Sequence, residues 1–266
     1  MLTSRHNPRI QAVRRLLRRA AERRKTGLTV LEGVRLAEEA HRAGVVPQSV
    51  FYTRALRARG QKLVEAWRAA GVPTWEVAPE LLTWLSETET PQGLLVLIPR
   101  ASPRREPHRP DFVLVLDAIQ DPGNMGTLLR TAWAAGVQAV WVAPGSVDPW
   151  APKVLRAGMG AHFAVPIREA DWATIRQATR GLARFLAAAH EGRPYFELPG
   201  QRPLALAVSN EAHGASAAAR AWATDAVHIP MPGGAESLNV AVASGILMFE
   251  VVRQRLQATR AADRAA

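Results

Sequence analysis

From residue 112 onward, short β-rich runs alternate with helical patterns, and this alternation limits the chain to few architectures. Strands are expected at Phe112–Leu116, Val137–Val142, Phe163–Pro166, Arg184–Ala189, Leu204–Val208 and Val227–Ile229. Helices are expected at Met125–Ala135, Pro152–Met159, Trp172–Thr179 and Ala215–Ala221, with a last helix from Ser237. Strands separated by helical crossovers pair in parallel and need cover on both faces. The expected fold class is therefore α/β, with a parallel sheet between layers of helices.

A smaller alternation precedes it. Strand-like runs at Thr29–Leu31, Ser49–Thr53, Thr74–Val77 and Leu94–Ile98 are separated by helical patterns around Arg35–Arg42, Gln61–Ala69 and Pro79–Leu85, which describes a small α/β module. Between the two lies RASPRREPHRP, residues 100–110, with three prolines, four arginines and almost nothing apolar, the composition of a stiff exposed connector. The expected division is a first domain at 1–100, a linker at 101–110 and a second domain at 111–266.

The formal charge is +11 over 266 residues, and all but three of the basic residues are arginines. Such an excess points to a polyanionic partner, nucleic acid or an anionic surface. Part of it clusters. From Asn7 to Lys25, Ile10, Val13, Leu16, Leu17 and Ala20 recur at helical spacing, while Arg14, Arg15, Arg18, Arg19 and Arg23 occupy the rest of the surface. This basic amphipathic helix either lies on a phosphate backbone or is a solvated surface helix. No run of about 18 or more uncharged apolar residues predicts a membrane span. Residues 1–25 lack the apolar core of a signal peptide, and there is no cysteine for a disulfide or a thiolate, so a soluble, cytoplasmic protein is expected. The seven histidines show no ligand spacing, so no metal is expected.

Residues 238–252, LNVAVASGILMFEVV, are apolar on every side of a helix. Such a helix is expected to pack both on its own sheet and on another subunit.

Three motifs can carry chemistry. DPGNMGTLLRTA at 121–132 follows the strand FVLVLD and reads as a strand-to-helix turn, with Asn124 as a candidate N-cap. In parallel sheets such turns lie where ligands bind. Arg130 follows Gly126 by one turn, and the missing side chain there leaves its stem a lane toward the turn; a solvated helix arginine is the plainer account. SNEAHG at 209–214 ends a strand and is a site or a capped turn. IPMPGGAESLNVAVA at 229–243 leads through Pro and Gly into the apolar helix, with Ser237 and Asn239 as caps or ligand-facing groups.

In their order and spacing, DPxNxGxxxRTA, the strand followed by SNEAHG, and IPM…SLNVxVA resemble the SpoU/TrmH branch of the SPOUT methyltransferases. PKVLRAGMGA at 152–161 is similar to the family's stretch between the first two motifs. The resemblance covers 112–256, and residues 1–100, with NPRI near the start and LEGVR at 31–35, are similar to the RNA substrate-binding domain often joined to it. Ser209 and Ala212 stand where the family commonly has Gly, Gly158 where it has Ser, and Ala241 where it has the Ser of SLNVS. Side chains at 209 and 212 are expected to narrow the cofactor loop.

The resemblance implies a SPOUT sheet with a deep trefoil knot, a homodimer, and S-adenosyl-L-methionine as cofactor. It implies an RNA 2′-O-ribose methyltransferase, with rRNA favoured over tRNA as substrate. Asn124, Arg130, Glu211, Ser237 and Asn239 match catalytic and near-catalytic positions. Ser209, Asn210, Gly214, Ile229, Met231 and Leu238 match the cofactor site, and Arg35 joins Arg14, Arg15, Arg18, Arg19 and Arg23 as RNA-binding candidates. A guanidinium stays protonated far above neutral pH. Arg130 is therefore expected to orient the ribose 2′-oxygen and stabilise its alkoxide character, with an RNA phosphate or water taking the proton and Asn124 holding the arginine. Two rival readings remain. One is an RNA-binding protein with an inactive methyltransferase fold, which cofactor titration separates. The other, a nucleotide-dependent oxidoreductase, needs a glycine fingerprint that the first strand-to-helix turn lacks.

Overall fold

The first helix starts where Asn7 accepts a hydrogen bond from the Arg9 N–H at 2.9 Å, with Pro8 at the first helical position, where a missing N–H costs nothing. The computed structural model describes residues 1–210 and 214–265. They form two compact units, Met1–Pro103 with Trp150–Ala164, and Arg104–Pro149 with Val165–Ala266. Relative to the division read from sequence, the stretch 150–164 belongs with the first unit.

The continuous helix expected over Asn7–Lys25 is two helices, α1 (Pro8–Arg18) and α2 (Ala20–Thr26), broken at an extended Arg19. Arg23 accounts for the break. Its guanidinium turns back and donates to the carbonyls of Leu16 at 2.6 Å and Leu17 at 3.2 Å, and the residue is only 4% exposed. The orphan carbonyls that end α1 thus find a side-chain donor. Arg23 is an internal cap and not a phosphate-facing residue, which corrects the sequence reading.

Strands β1 (Leu28–Glu32), β2 (Ser49–Tyr52), β3 (Thr74–Glu76) and β4 (Leu94–Pro99) form a sheet in the order β1-β4-β2-β3. Helices α3 (Val34–Arg42), α4 (Ala58–Ala69) and α5 (Pro79–Leu85) complete this part of the chain. Side chains alternate across the sheet with period two. Val30, Phe51, Leu95 and Leu97 pack with α1 and α5, whereas Leu31, Val50, Leu94, Val96 and Ile98 pack with α3, α4 and residues Trp150, Leu155 and Phe163 of the returning segment.

The second unit begins with β5 (Phe112–Asp117), α6 (Pro122–Ala134) and β6 (Ala139–Val142); the helices α7 (Pro152–Gly158) and α8 (Ala161–Ala164) that come next in the chain belong to the first unit. It resumes with β7 (Ile167–Glu169), α9 (Trp172–Ala178), β8 (Ala183–Ala187) and β9 (Arg193–Pro194). Then follow β10 (Leu204–Ser209), α10 (Ala217–Trp222), β11 (Asp225–His228) and α11 (Val240–Ala265). The strands pair in parallel in the order β7-β6-β5-β10-β8-β11-β9. The expected α/β class with a parallel sheet is present.

Phe163 is helical and the strand expected there starts at Ile167, while the two-residue β9 is too short, and too disfavoured by Pro194, to leave a pattern. The last helix starts at Val240, because Asn239 Oδ1 accepts from the N–H groups of Ala241 and Val242 and so acts as the cap. Its inner side, with Ser244, Leu247, Met248 and Val251, is buried, while Val242, Phe249 and Leu256 are 53%, 47% and 55% exposed. In the connector, Glu106 is half-buried, and burial raises its carboxyl pKa against the opposing charge of Arg168.

Strand β10 follows β8 and β9 in sequence but lies between β5 and β8, which brings the carboxyl ends of β5 and β10 side by side. Ligands of open parallel sheets bind at such ends. Among the described residues, no helix is long and apolar enough to cross a membrane, and no group of three or more His, Cys, Asp or Glu side chains is placed to hold a metal.

Candidate active site

Strand β5 ends at Asp117, and the next residue, Ala118, has φ +52°, a conformation uncommon for a residue with a Cβ. The chain then turns into α6, whose cap is Asp121: its carboxylate accepts from the Asn124 N–H at 2.7 Å, and Pro122 follows at the first helical position. Asn124 is therefore a first-turn residue rather than the cap that its sequence context suggested. Its side-chain oxygen accepts from Asn239 Nδ2 at 3.0 Å, joining the first motif to the third. Arg130 lies further along α6 and is exposed, with no hydrogen bond or ion pair among the described residues.

At the end of β10, Ser209 pairs in register with Asp117. Its hydroxyl donates to Asp117 Oδ2 at 3.0 Å, and Asn210 Nδ2 donates to the Ala118 carbonyl at 3.4 Å. The side chain expected to narrow the loop thus spends its polar group on the neighbouring strand. Gly214 closes the loop with its N–H on the Asn210 carbonyl at 3.0 Å, and its φ of +65° suits a residue without a Cβ. Ser216 then caps α10, accepting from the Ala219 N–H at 3.1 Å, while its own N–H and hydroxyl reach Asp117 at 2.8 and 3.0 Å. Glu211 and Ala212 lie outside the described residues.

A cavity of about 290 Å³ opens at these strand ends. All six candidate cofactor residues, Ser209, Asn210, Gly214, Ile229, Met231 and Leu238, line it, and so does Ser237. Apolar walls come from Leu186, Val208, Val227, Val240 and Leu247. The sequence reading missed the segment from Ala187 to Glu191 after β8 and also Arg220, whose guanidinium pairs with Glu191 at 3.1 Å at the cavity margin. The general siting of ligands at carboxyl ends of parallel strands was a signal for the first of these; for Arg220 there was none. Asn124, Arg130 and Asn239 are not in the lining.

Apolar walls beside the polar residues Ser209, Asn210 and Ser237 fit a ligand that is apolar in one part and polar in another, as an adenosine-containing cofactor is.

The RNA-binding candidates fall in the first unit. Arg14 lies over the Trp84 ring at 4.3 Å, Arg15 pairs loosely with Glu22 at 3.6 Å, and Arg18 and Arg19 are exposed. Arg5 and Arg9 add further guanidinium–indole contacts, with Trp84 at 4.9 Å and Trp75 at 4.2 Å. Exposed Arg35 lines two hollows of about 420 and 650 Å³ together with Arg59, Thr90 and Gln92. Gly33 before it has φ +96°, and a Cβ there would stand 3.0 Å from Gln92 Oε1, so this turn of LEGVR requires glycine.

Comparison with known proteins adds independent findings. The model of the SpoU rRNA Methylase family matches residues 111–249, and that of the MRM3-like substrate binding domain matches residues 7–96. A curated relative from Bacillus subtilis (strain 168), 23S rRNA (guanosine(2553)-2′-O)-methyltransferase RlmP, is 32% identical over 86% of this chain and 90% of its own length. A 23S rRNA (uridine(2479)-2′-O)-methyltransferase from Streptomyces viridochromogenes is 32% identical over 96% of this chain and 92% of its own. Among solved structures, the SpoU methyltransferase AviRb from Streptomyces viridochromogenes, in complex with the cofactor AdoMet, superposes with a TM-score of 0.82 at 29% identity, covering 94% of this chain and all of that one.

Proposed function

The chain belongs to the SpoU rRNA methylase family, and we propose that it is an RNA 2′-O-methyltransferase that uses S-adenosylmethionine to methylate a ribose 2′-hydroxyl of ribosomal RNA. The observation that carries this reading is the cavity at the carboxyl ends of the strands, which gathers Ser209, Asn210, Gly214, Ile229, Met231, Ser237 and Leu238 from two separate motifs. Relatives named as 23S rRNA 2′-O-methyltransferases favour ribosomal over transfer RNA.

Bound S-adenosylmethionine supplies an electrophilic methyl group on a sulfonium sulfur. The loop residues Ser209, Asn210 and Gly214, with Ile229, Met231 and Leu238, hold the cofactor. The Arg130 guanidinium orients the 2′-oxygen and stabilises the negative charge that develops there as an RNA phosphate or water takes its proton. The bond from Asn239 to Asn124 fixes the start of α6 against the segment that leads into α11, and Glu211 and Ser237 complete the site. The second unit is read as a deep trefoil knot, which the late insertion of β10 between β5 and β8 supports. A homodimer forms through α11, supported by the exposed stripe Val242, Phe249 and Leu256, spaced by seven residues. The first unit supplies RNA affinity.

The test is methyl transfer from labelled S-adenosylmethionine to purified ribosomal and transfer RNA, with the product digested to nucleosides. Label on a ribose 2′-oxygen of ribosomal RNA is expected. Label on a base, or none, would overturn the proposal.

A further inference from the structure

Asp117 is 1% exposed at the end of the inner strand β5, and no cation pairs with it among the described residues. A carboxylate in that position needs donors to replace water. Among the described residues these come from the two ends of one loop. Ser209 Oγ donates to Oδ2 at 3.0 Å where the chain leaves β10. The Ser216 N–H donates to the same oxygen at 2.8 Å, and Ser216 Oγ donates to Oδ1 at 3.0 Å, where the chain enters α10. Between these anchors lie Asn210, Gly214 and Ala215, which line the cavity at the strand ends.

We propose that Asp117 is a positioning residue for S-adenosylmethionine, a carboxylate clamp that ties Ser209 at the end of β10 to Ser216 at the start of α10 and thereby fixes where Asn210, Gly214 and Ala215 face the cavity. The inference rests on the assignment of this cavity to the cofactor. It also accounts for the Ser209 hydroxyl, because where the family commonly has glycine, this chain gains a donor that ties β10 to β5. A carboxylate suits the position because it accepts at both oxygens, whereas an asparagine of the same shape keeps its oxygen for the Ser216 N–H and turns its NH2 group toward Ser216 Oγ, a hydroxyl that already accepts from the Ala219 N–H, and it loses the charge. A clamp that acts on the cofactor loop alone predicts a defect in cofactor affinity, distinct from a defect in chemistry or in RNA binding.

The experiment compares the full-length protein with Asp117→Asn and Ser216→Ala, measuring S-adenosylmethionine binding by calorimetry, RNA affinity, the unfolding midpoint and kcat at saturating cofactor. The loss of charge-assisted hydrogen bonds should raise the cofactor Kd about tenfold or more in Asp117→Asn and severalfold in Ser216→Ala. RNA affinity should be unchanged, and kcat at saturation should stay within about threefold, so that the effect falls on KM. A cofactor Kd within twofold of the parent in both single variants overturns the clamp. So does an equal loss of cofactor binding, RNA binding and stability, which marks a merely structural carboxylate. If Asp117→Asn does not fold, Ser216→Ala decides alone, since it leaves β5 intact. If the parent itself binds no S-adenosylmethionine, the cofactor-site assignment fails first and the clamp falls with it.

Discussion

Asn239 donates from Nδ2 to Asn124 Oδ1 at 3.0 Å, linking residues 115 positions apart. The same Asn239 caps α11 through its oxygen, so one side chain holds a helix start with one atom and reaches the α6 turn with another. Replacing either asparagine by alanine should lower kcat by about tenfold or more, the scale of losing an oriented group. The double variant should lose little beyond the worse single one, because the pair acts as a unit. Single-turnover rates for the two singles and the double check this, and additive losses would show that they act separately.

Arg130 is exposed, carries no partner among the described residues, and stands outside the cavity lining. The role proposed for it is accordingly toward the RNA rather than the cofactor. Arg130→Ala should lose methyl transfer by about a hundredfold or more while the S-adenosylmethionine Kd changes less than twofold, on the scale of removing one charge-stabilising donor. Arg130→Lys keeps the charge but not the planar fork, and should recover only part. A single-turnover rate near the parent in Arg130→Ala would remove it from the mechanism.

The alternation of strands and helices was legible where the strands are buried, as β5, β6 and nearly all of β10 are, with apolar runs bounded by Gly, Pro or Asp, whereas the largely exposed β7 and β9 were misplaced or missed. The residues that line the cavity were brought together through motif order rather than local physics, since Ser209, Gly214 and Leu238 have no individual signal. What the sequence hid has physical reasons. The break at Arg19 depends on Arg23 folding back onto two carbonyls, and helical periodicity carries no signal of that. Asp121 and Asn124 are both good caps, and only the backbone geometry chooses the first. The network on Asp117 joins it to residues 92 and 99 positions away, a separation at which spacing carries no information.

The proposed homodimer rests on the exposed stripe of α11. Val242, Phe249 and Leu256 share one face at seven-residue spacing, while the opposite face of the helix is buried. The doubly substituted Val242→Glu, Phe249→Glu protein should sediment as a monomer at micromolar concentration where the parent sediments as a dimer, since charge replaces apolar area worth about 25 cal/mol per Å². A parent that is itself a monomer would overturn the assignment.

Glu250, one position from Phe249, turns inward. It is 7% exposed and accepts from Arg253 Nε at 2.8 Å, Arg253 Nη2 at 2.7 Å and Gln254 Nε2 at 2.7 Å. The hydrogen bonds from Arg253 lead in lowering its pKa, against the cost of burial. A carboxyl with a folded pKa below its unfolded value contributes stability above the unfolded value and loses it as pH falls through the folded one. Glu250→Gln should therefore unfold at lower temperature than the parent at neutral pH, with the gap closing in acid below the ordinary glutamate range. A gap independent of pH would mean that shape and not charge sets the difference.

The arginines of the first unit divide by what they touch, and this sharpens the test of RNA binding. Arg15, Arg18 and Arg19 are exposed, and among the described residues only the loose pair of Arg15 with Glu22 competes for a phosphate. Arg23 is spent on the Leu16 and Leu17 carbonyls. Removing one arginine from a phosphate flattens the slope of log affinity against log salt by roughly 0.7 to 0.9. Replacing Arg15, Arg18 and Arg19 together by alanine should therefore flatten it by about two units if all three touch RNA, and leave cofactor binding unchanged. Arg23→Ala should behave differently: it leaves buried carbonyls without their donor, at a cost of about 1–3 kcal/mol in stability, and should leave the salt slope as it is. If the triple variant keeps both the affinity and the slope of the parent, α1 and the turn after it are a solvated surface. The exposed Arg35, beside Arg59 at the hollows of the first unit, then becomes the next phosphate-binding side chain to test.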